Sequence, residues 1–231
     1  LNNGHRFPYL ELLSISNGPS EIGSLFLLPE YRNQRVGRLL SLSRFLFIKC
    51  FESFFSPTII AELRGYLNTN NESPFWNHLG KKFIPMSFDD ADRLSIEDET
   101  FISKQFPKHP IYLRMLPKIA MNCLGKVHDM TRPAKQLLLS EHFNVTNHYD
   151  IFDGGPKLEC QTKKIRSIVK SKTIPASCIE HLLGDEYHLI SNCKQDHFRC
   201  LRANKETPIN GIFKALLINN TDTVCVIKER P

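Results

Sequence analysis

Leu25–Phe47 reads LFLLPEYRNQRVGRLLSLSRFLF: an apolar run, a proline, an arginine-rich bend and a long apolar segment. The preceding residues extend the apolar run to EIGSLFLL (Glu21–Leu28), which the pattern predicts to be a buried strand ending at Pro29. From Gly37 to about Phe55 the spacing is helical, with Arg38, Ser41, Arg44, Lys49 and Glu52 placed on a wetter side. A strand that turns into a helix leaves backbone N–H groups unpaired at the helix start. Together with the positive end of the helix dipole, these suit a pyrophosphate. The bend carries Arg32, Arg35 and Arg38, and Gly37 lets the backbone approach a ligand closely. The same pattern also describes a plain corner between strand and helix, so local chemistry leaves both readings open.

Working outward, TIIAELR (Thr58–Arg64) is a second strand, rich in β-branched residues. SPFWNHLGKKF offers Ser73 as a helix cap, Pro74 as first residue and Gly80 as stop. Strand, helix, strand, helix in that order predicts an α/β fold with a parallel or mixed sheet and flanking helices. The region Phe88–Leu124 is expected to form short helices broken by Pro107, Pro110 and Pro117. TRPAKQLLLSEHF reads as a further helix, NVTNHYDIFD as a strand, and the glycines of FDGGP as the turn that ends it. KIRSIV, YHLIS, FRCLRA and TVCVIKE are strand-like pieces. They predict a main region over residues 1–157 and a small β-rich subdomain over 158–231.

Of the 231 residues, 41% are hydrophobic and 23% charged, a globular composition. The net charge of +6 is spread along the chain. The cluster Lys163, Lys164, Arg166, Lys170 and Lys172 reads as a solvated face, not as a nucleic-acid surface. No run is long enough to predict a membrane span, and the opening LNNGHR is no secretory signal. Seven cysteines without a CxxC pair point to reduced thiols and a cytoplasmic location. His188, Cys193, His197 and Cys200 fit no zinc spacing, so no metal site is expected. Cys160 has no histidine near it in sequence to make it a nucleophile. Arg64 and Gly65 either just end their strand or face the carboxylate of a ligand.

At the bend, RNQRVG (Arg32–Gly37) resembles the acyl-CoA motif of the GNAT superfamily. That motif runs arginine or glutamine, two spacers, glycine, a spacer, then glycine or alanine. Arg32 and Gly37 match it, while Arg35 stands where the first glycine is expected. The wider chain resembles the arginine N-succinyltransferases through SLFLLPEYR, GRLLSLSRFLF, AELRG, SPFWNHLGKKF, HPIY, GKVHDMTRPA, EHF and DIFDGGPKLE, in that order. The resemblance is strongest between Leu25 and Glu159. Family members carry about a hundred further residues at the N-terminus, a substantial part of a domain. This chain, which begins with Leu1, resembles their C-terminal two-thirds.

The resemblance implies transfer of a succinyl group from succinyl-CoA, a co-substrate with no permanently bound cofactor, to the α-amine of L-arginine in arginine catabolism. It also implies roles for residues. Leu25 binds succinyl-CoA through its main chain, with Leu27 on the same strand, and Arg32 and Gly37 take the phosphates. His128 is the proton donor to the departing thiolate, a role suited to a side chain that holds a proton near neutral pH. Asp129 replaces a proline common in the family. An oligomer with like or related subunits is implied, with neither nucleic acid nor membrane as partner. Ornithine is the alternative acceptor, and a non-catalytic fragment or accessory subunit is the competing class.

Overall fold

The structure, a computed structural model, describes residues 7–15, 17–32, 35–98 and 100–229. In chain order its elements are β1 (Tyr9–Leu10), β2 (Ser20–Glu21), α1 (Val36–Cys50), β3 (Thr58–Glu62), α2 (Pro74–His78), α3 (Phe88–Glu97), α4 (Phe101–Gln105), β4 (Ile111–Tyr112), α5 (Lys118–Met121), α6 (Arg132–Ser140), β5 (Asn144–Tyr149), β6 (Pro156–Gln161), α7 (Arg166–Lys170), β7 (Lys172–Pro175), α8 (Ile179–Leu182), β8 (His188–Asn192), β9 (Cys200–Ala203), α9 (Ile209–Leu216) and β10 (Thr223–Lys228). The fold is mixed α/β. Its sheets run β1-β4, β2-β3-β6-β5 and β7-β10-β8-β9. None of the described helices is long and apolar enough to cross a membrane.

The chain forms two compact units, and neither is one continuous segment. The first takes the described residues of Leu1–Glu21, Ile60–Leu138 and Asn144–Glu159; the second takes those of Ile22–Ile59, Leu139–Phe143 and Cys160–Pro231. The tail from Cys160 onward therefore shares its unit with α1.

In the first unit, Ser73 caps α2 by accepting the Trp76 N–H at 3.0 Å, and its hydroxyl donates to the Phe152 carbonyl at 2.9 Å. One side chain thus starts the helix and ties it to the DIFDGG turn. Trp76 is wholly buried and donates its indole N–H to Met86 O at 3.1 Å. Its ring fills the space beside Gly80, where a Cβ would lie 2.1 Å from the ring. Gly80 begins a short 3-10 turn, and its bare Cα is required by that close packing.

In the second unit, β7-β10-β8-β9 is antiparallel throughout. Ile190, Ile212, Leu216, Val224 and Val226 are buried together over it. YHLIS, FRCLRA and TVCVIKE do form strands of this sheet. KIRSIV does not: Arg166–Lys170 is helical. The reason is Glu141, only 1% exposed, whose carboxylate accepts the Ser167 N–H at 2.7 Å and pairs with Arg166 at 3.1 Å. Satisfying a free amide of the first turn and a buried guanidinium at once outweighs the β-propensity of the two isoleucines and the valine.

The apolar run before the bend also departs from expectation. Only Ser20–Glu21 is strand; from Ile22 to Leu28 the chain lies outside any ladder, and Phe26 is 70% exposed. Ser24 has φ of 51°, a left-handed conformation that interrupts a strand. On α1 itself, Ser41 is buried, not on the wetter side, and its hydroxyl accepts from Arg44 at 2.9 Å.

Truncating Glu141→Ala leaves Arg166 buried without its counter-charge and should cost roughly 3–5 kcal/mol. Urea unfolding checks this; a loss below about 1 kcal/mol would show that the pair does not hold α7 in place.

Candidate functional site

Four of the five sequence-predicted residues, Leu25, Leu27, Arg32 and Gly37, belong to the second unit and share the corner that leads into α1. Leu25 is 39% exposed and Leu27 half-buried. Pro29–Tyr31 makes one 3-10 turn, which the Arg32 N–H closes on Pro29 O at 3.1 Å. The Arg32 side chain folds back and donates from Nε to the Leu27 carbonyl at 3.2 Å. Gly37 is the second residue of α1, where an added Cβ would meet only Leu27 Cδ2, at 3.5 Å. Gly37 is thus not needed for packing or for a special φ.

Arg35 caps α1 at φ 61° and ψ 3°, in the left-handed region. Glycine suits this position because it has no Cβ to clash there. The third arginine of the bend, Arg38, lies 3.8 Å through Nε from the carboxylate of Glu229, which also takes Arg202 at 2.5 Å. Arg38 is therefore partly neutralised, while Arg32 and Arg35 are exposed.

The fifth residue, His128, lies in the first unit. Its own N–H donates to Arg64 O at 2.9 Å, next to the antiparallel bridge of Val127 with Gly65. Its Nδ1 accepts the Met130 N–H at 3.2 Å, so the neutral ring carries its proton on Nε2. The ring is thereby anchored through one nitrogen.

The strand end that holds His128 also lines a cleft of about 180 Å³, formed by Glu62, Leu63, Arg64, Phe88, Asp92, Asp150, Phe152 and Asp153. The Arg64 guanidinium lies 5.4 Å from the centre of the Phe88 ring. Asp153 is buried and accepts Gly65 N–H at 2.7 Å and Gly155 N–H at 2.8 Å. A Cβ on Gly155 would come within 2.1 Å of Leu63 O, and one on Gly65 within 2.5 Å of Asp153. The FDGGP segment does end a strand, but it also clamps the β3 end. Asp150 accepts the Phe152 and Asp153 amides at 2.8 and 3.0 Å. Burial, then the charge of Asp153, pushes the Asp150 carboxyl up to about 7. The sequence reading missed this cleft apart from Arg64. Its walls come from three separated segments, and no spacing within any one of them signals the others.

Among the described residues no group of three or more histidine, cysteine or acidic side chains could hold a metal ion.

The mixed α/β architecture is that of a solved succinyltransferase subunit. The arginine/ornithine succinyltransferase subunit AI from Pseudomonas aeruginosa superposes with a TM-score of 0.76 at 25% identity, over 90% of this chain and 62% of that one. Two curated relatives are arginine N-succinyltransferases. That of Salmonella typhi is 40% identical over 211 residues, and that of Escherichia coli strain SE11 is 39% identical over 208. The alignments cover 90% and 89% of this chain but 61% and 60% of those relatives, so the chain spans about three-fifths of their length. The family profile described as arginine N-succinyltransferase beta subunit matches residues 1–167. The chain belongs to that family.

Two outcomes test the local physics. Arg35→Gly removes left-handed strain of ~1–2 kcal/mol against an unfolded-state entropy cost of about 0.5–1 kcal/mol, so it should leave stability unchanged or raised. A clear fall in thermal midpoint would contradict the strain. Asp150 takes up a proton on folding because its folded value is raised. Its contribution to stability is fully present below about pH 4 and is lost as pH rises through about 7. Unfolding followed from pH 4 to 8 should show that decline in the wild type and lose most of it in Asp150→Asn.

Proposed function

We propose that this chain supplies the acyl-CoA-binding and proton-donating parts of an N-succinyltransferase that moves succinyl from succinyl-CoA to the α-amine of L-arginine in arginine catabolism. The observation that carries the reading is the main-chain bond from the His128 N–H to the carbonyl of Arg64, a residue that lines a cleft with four carboxyl groups and one guanidinium. Such a cleft suits an acceptor with a cationic side chain: carboxylates for the guanidinium, and Arg64 for the α-carboxylate. Ornithine, cationic as well, fits the same charge pattern and is the alternative acceptor.

At the corner, the main chain around Leu25 lies outside any ladder, so its amides can serve a pantetheine arm and the thioester oxygen, while the Leu27 carbonyl holds Arg32. Arg32 and the N-terminus of α1 beside Gly37 take the phosphates. The GNAT-like motif supports this assignment, and the left-handed Arg35 occupies its missing glycine.

In the transfer, the neutral amine attacks the thioester carbon and forms the N–C bond. The carbonyl oxygen gathers negative charge, and the C–S bond then breaks. The proton of the free α-ammonium is given up before attack. From the neutral amine onward the nitrogen loses one proton and the sulfur gains one, so this step balances. His128 serves the second of these events through Nε2. A cytoplasmic setting and assembly with like or related subunits belong to the same proposal.

The test is CoA release from succinyl-CoA with and without L-arginine, using the chain with the portion of its relatives that it does not span. Arginine-dependent release should fall by ~10²-fold or more in His128→Ala, with acyl-CoA affinity retained. Gly37→Ala, which the fold accommodates, should weaken acyl-CoA binding by about tenfold in calorimetry. Equal rates for wild type and His128→Ala reject the proton donor. No heat with any CoA compound rejects the reading as a whole.

A further inference from the structure

The second unit brings together three thiols that the transfer chemistry does not use. Cys50, the last residue of α1, has its Sγ 2.8 Å from Sγ of Cys193, the residue that follows β8. Cys225, wholly buried within β10, lies close enough to act on the Cys50 thiol. The first two are 143 positions apart in sequence, so only the fold juxtaposes them.

We propose that Cys50 and Cys193 form a reversible disulfide on exposure to a low-molecular-weight disulfide, fastening the C-terminal end of α1 to the end of β8. The sulfurs are about 0.8 Å farther apart than the ~2.05 Å of a disulfide, and both lie where an element stops, so small backbone shifts close the gap. Phe51, the C-cap after Cys50, has already left helical geometry at φ −129° and ψ 42°. Cys50 and Cys193 are each part-exposed and within reach of a small oxidant, while Cys225 is enclosed.

The hydrogen bond between them divides the labour. Their close contact pushes the Cys50 thiol up and that of Cys193 down. Cys193 is therefore the thiolate that attacks first. Its sulfur displaces one thiolate from the small disulfide and keeps the other half as a mixed disulfide. Cys50, losing its proton, then attacks the Cys193 sulfur and expels the second half. Two protein thiols are oxidised, one small disulfide is reduced to two thiols, and the two protons pass to the released thiolates. The bridge reaches the helix whose opposite end forms the acyl-CoA corner, yet it depends only on the thiols.

The folded wild-type chain is incubated with oxidised glutathione, then digested without reductant for mass spectrometry. Two free thiols should disappear, with a cross-linked Cys50–Cys193 peptide that dithiothreitol releases. Closing so long a loop should raise the apparent melting midpoint by ~5 °C or more, and Cys193→Ser should abolish the rise. Cys225→Ser should still form the bridge. A Cys50–Cys225 cross-link, a glutathione adduct that stays on Cys193 without bridging, or no loss of thiols would each overturn the proposal. The wild-type peptide map decides this even if a variant folds poorly.

Discussion

One buried carboxylate organises the first unit around its cleft. Asp153 accepts amide protons from Gly65 and Gly155, so the residue after the β3 end and the turn before β6 are held by a single side chain. Charge-assisted bonds of this kind are about twice as strong as neutral ones, and inside the protein little water competes for them. The two glycines make the approach possible, because a methyl group on either would overlap the groups being joined. Arg64, the neighbour of Gly65, is thereby held in place, and its carbonyl in turn fixes the backbone of His128. Ser73 joins the same turn from the other side through Phe152 O. The position of the candidate proton donor thus follows from a hydrogen-bonded chain beginning at Asp153.

What the sequence made legible, and what it concealed, divides along physical lines. Ser73 capping α2, the helical periodicity of α1, the helix over α6 and the strands β8, β9 and β10 all follow local rules that act over a few residues. Where a distant partner intervened, local reading failed. Glu141 turned a strand-like segment into α7, and the left-handed Ser24 kept the apolar run before the bend out of a sheet. That run remains largely exposed, which a buried strand would not be. The cleft was hidden because Glu62, Asp92 and Asp150 come from separate segments, and only the fold sets them around one space. FDGGP was legible as a turn, but the load on its aspartate was not.

The bend quoted at the outset combines a glycine-like backbone geometry with an unexpected residue. The backbone takes the left-handed conformation that glycine favours, yet the residue there is Arg35. Its charge comes with steric strain, which the packing of α1 sustains: Phe45 against Phe143 at 6.0 Å and Phe47 against Phe198 at 5.0 Å. A helix secured along its length can hold an unfavourable first turn, since undoing the strain would mean shifting the aromatic contacts behind it.

Glu229 has a consequence for the bend's electrostatics. Its one carboxylate draws Arg38 from α1 and Arg202 from β9. Making that side chain neutral, as in Glu229→Gln, would take the anion away from both guanidinium groups. Two positive charges would then be unmasked within the second unit, one of them in the first turn of α1. That single lost charge, without any change at the bend itself, would make the corner a stronger attractor of polyanions and more sensitive to salt.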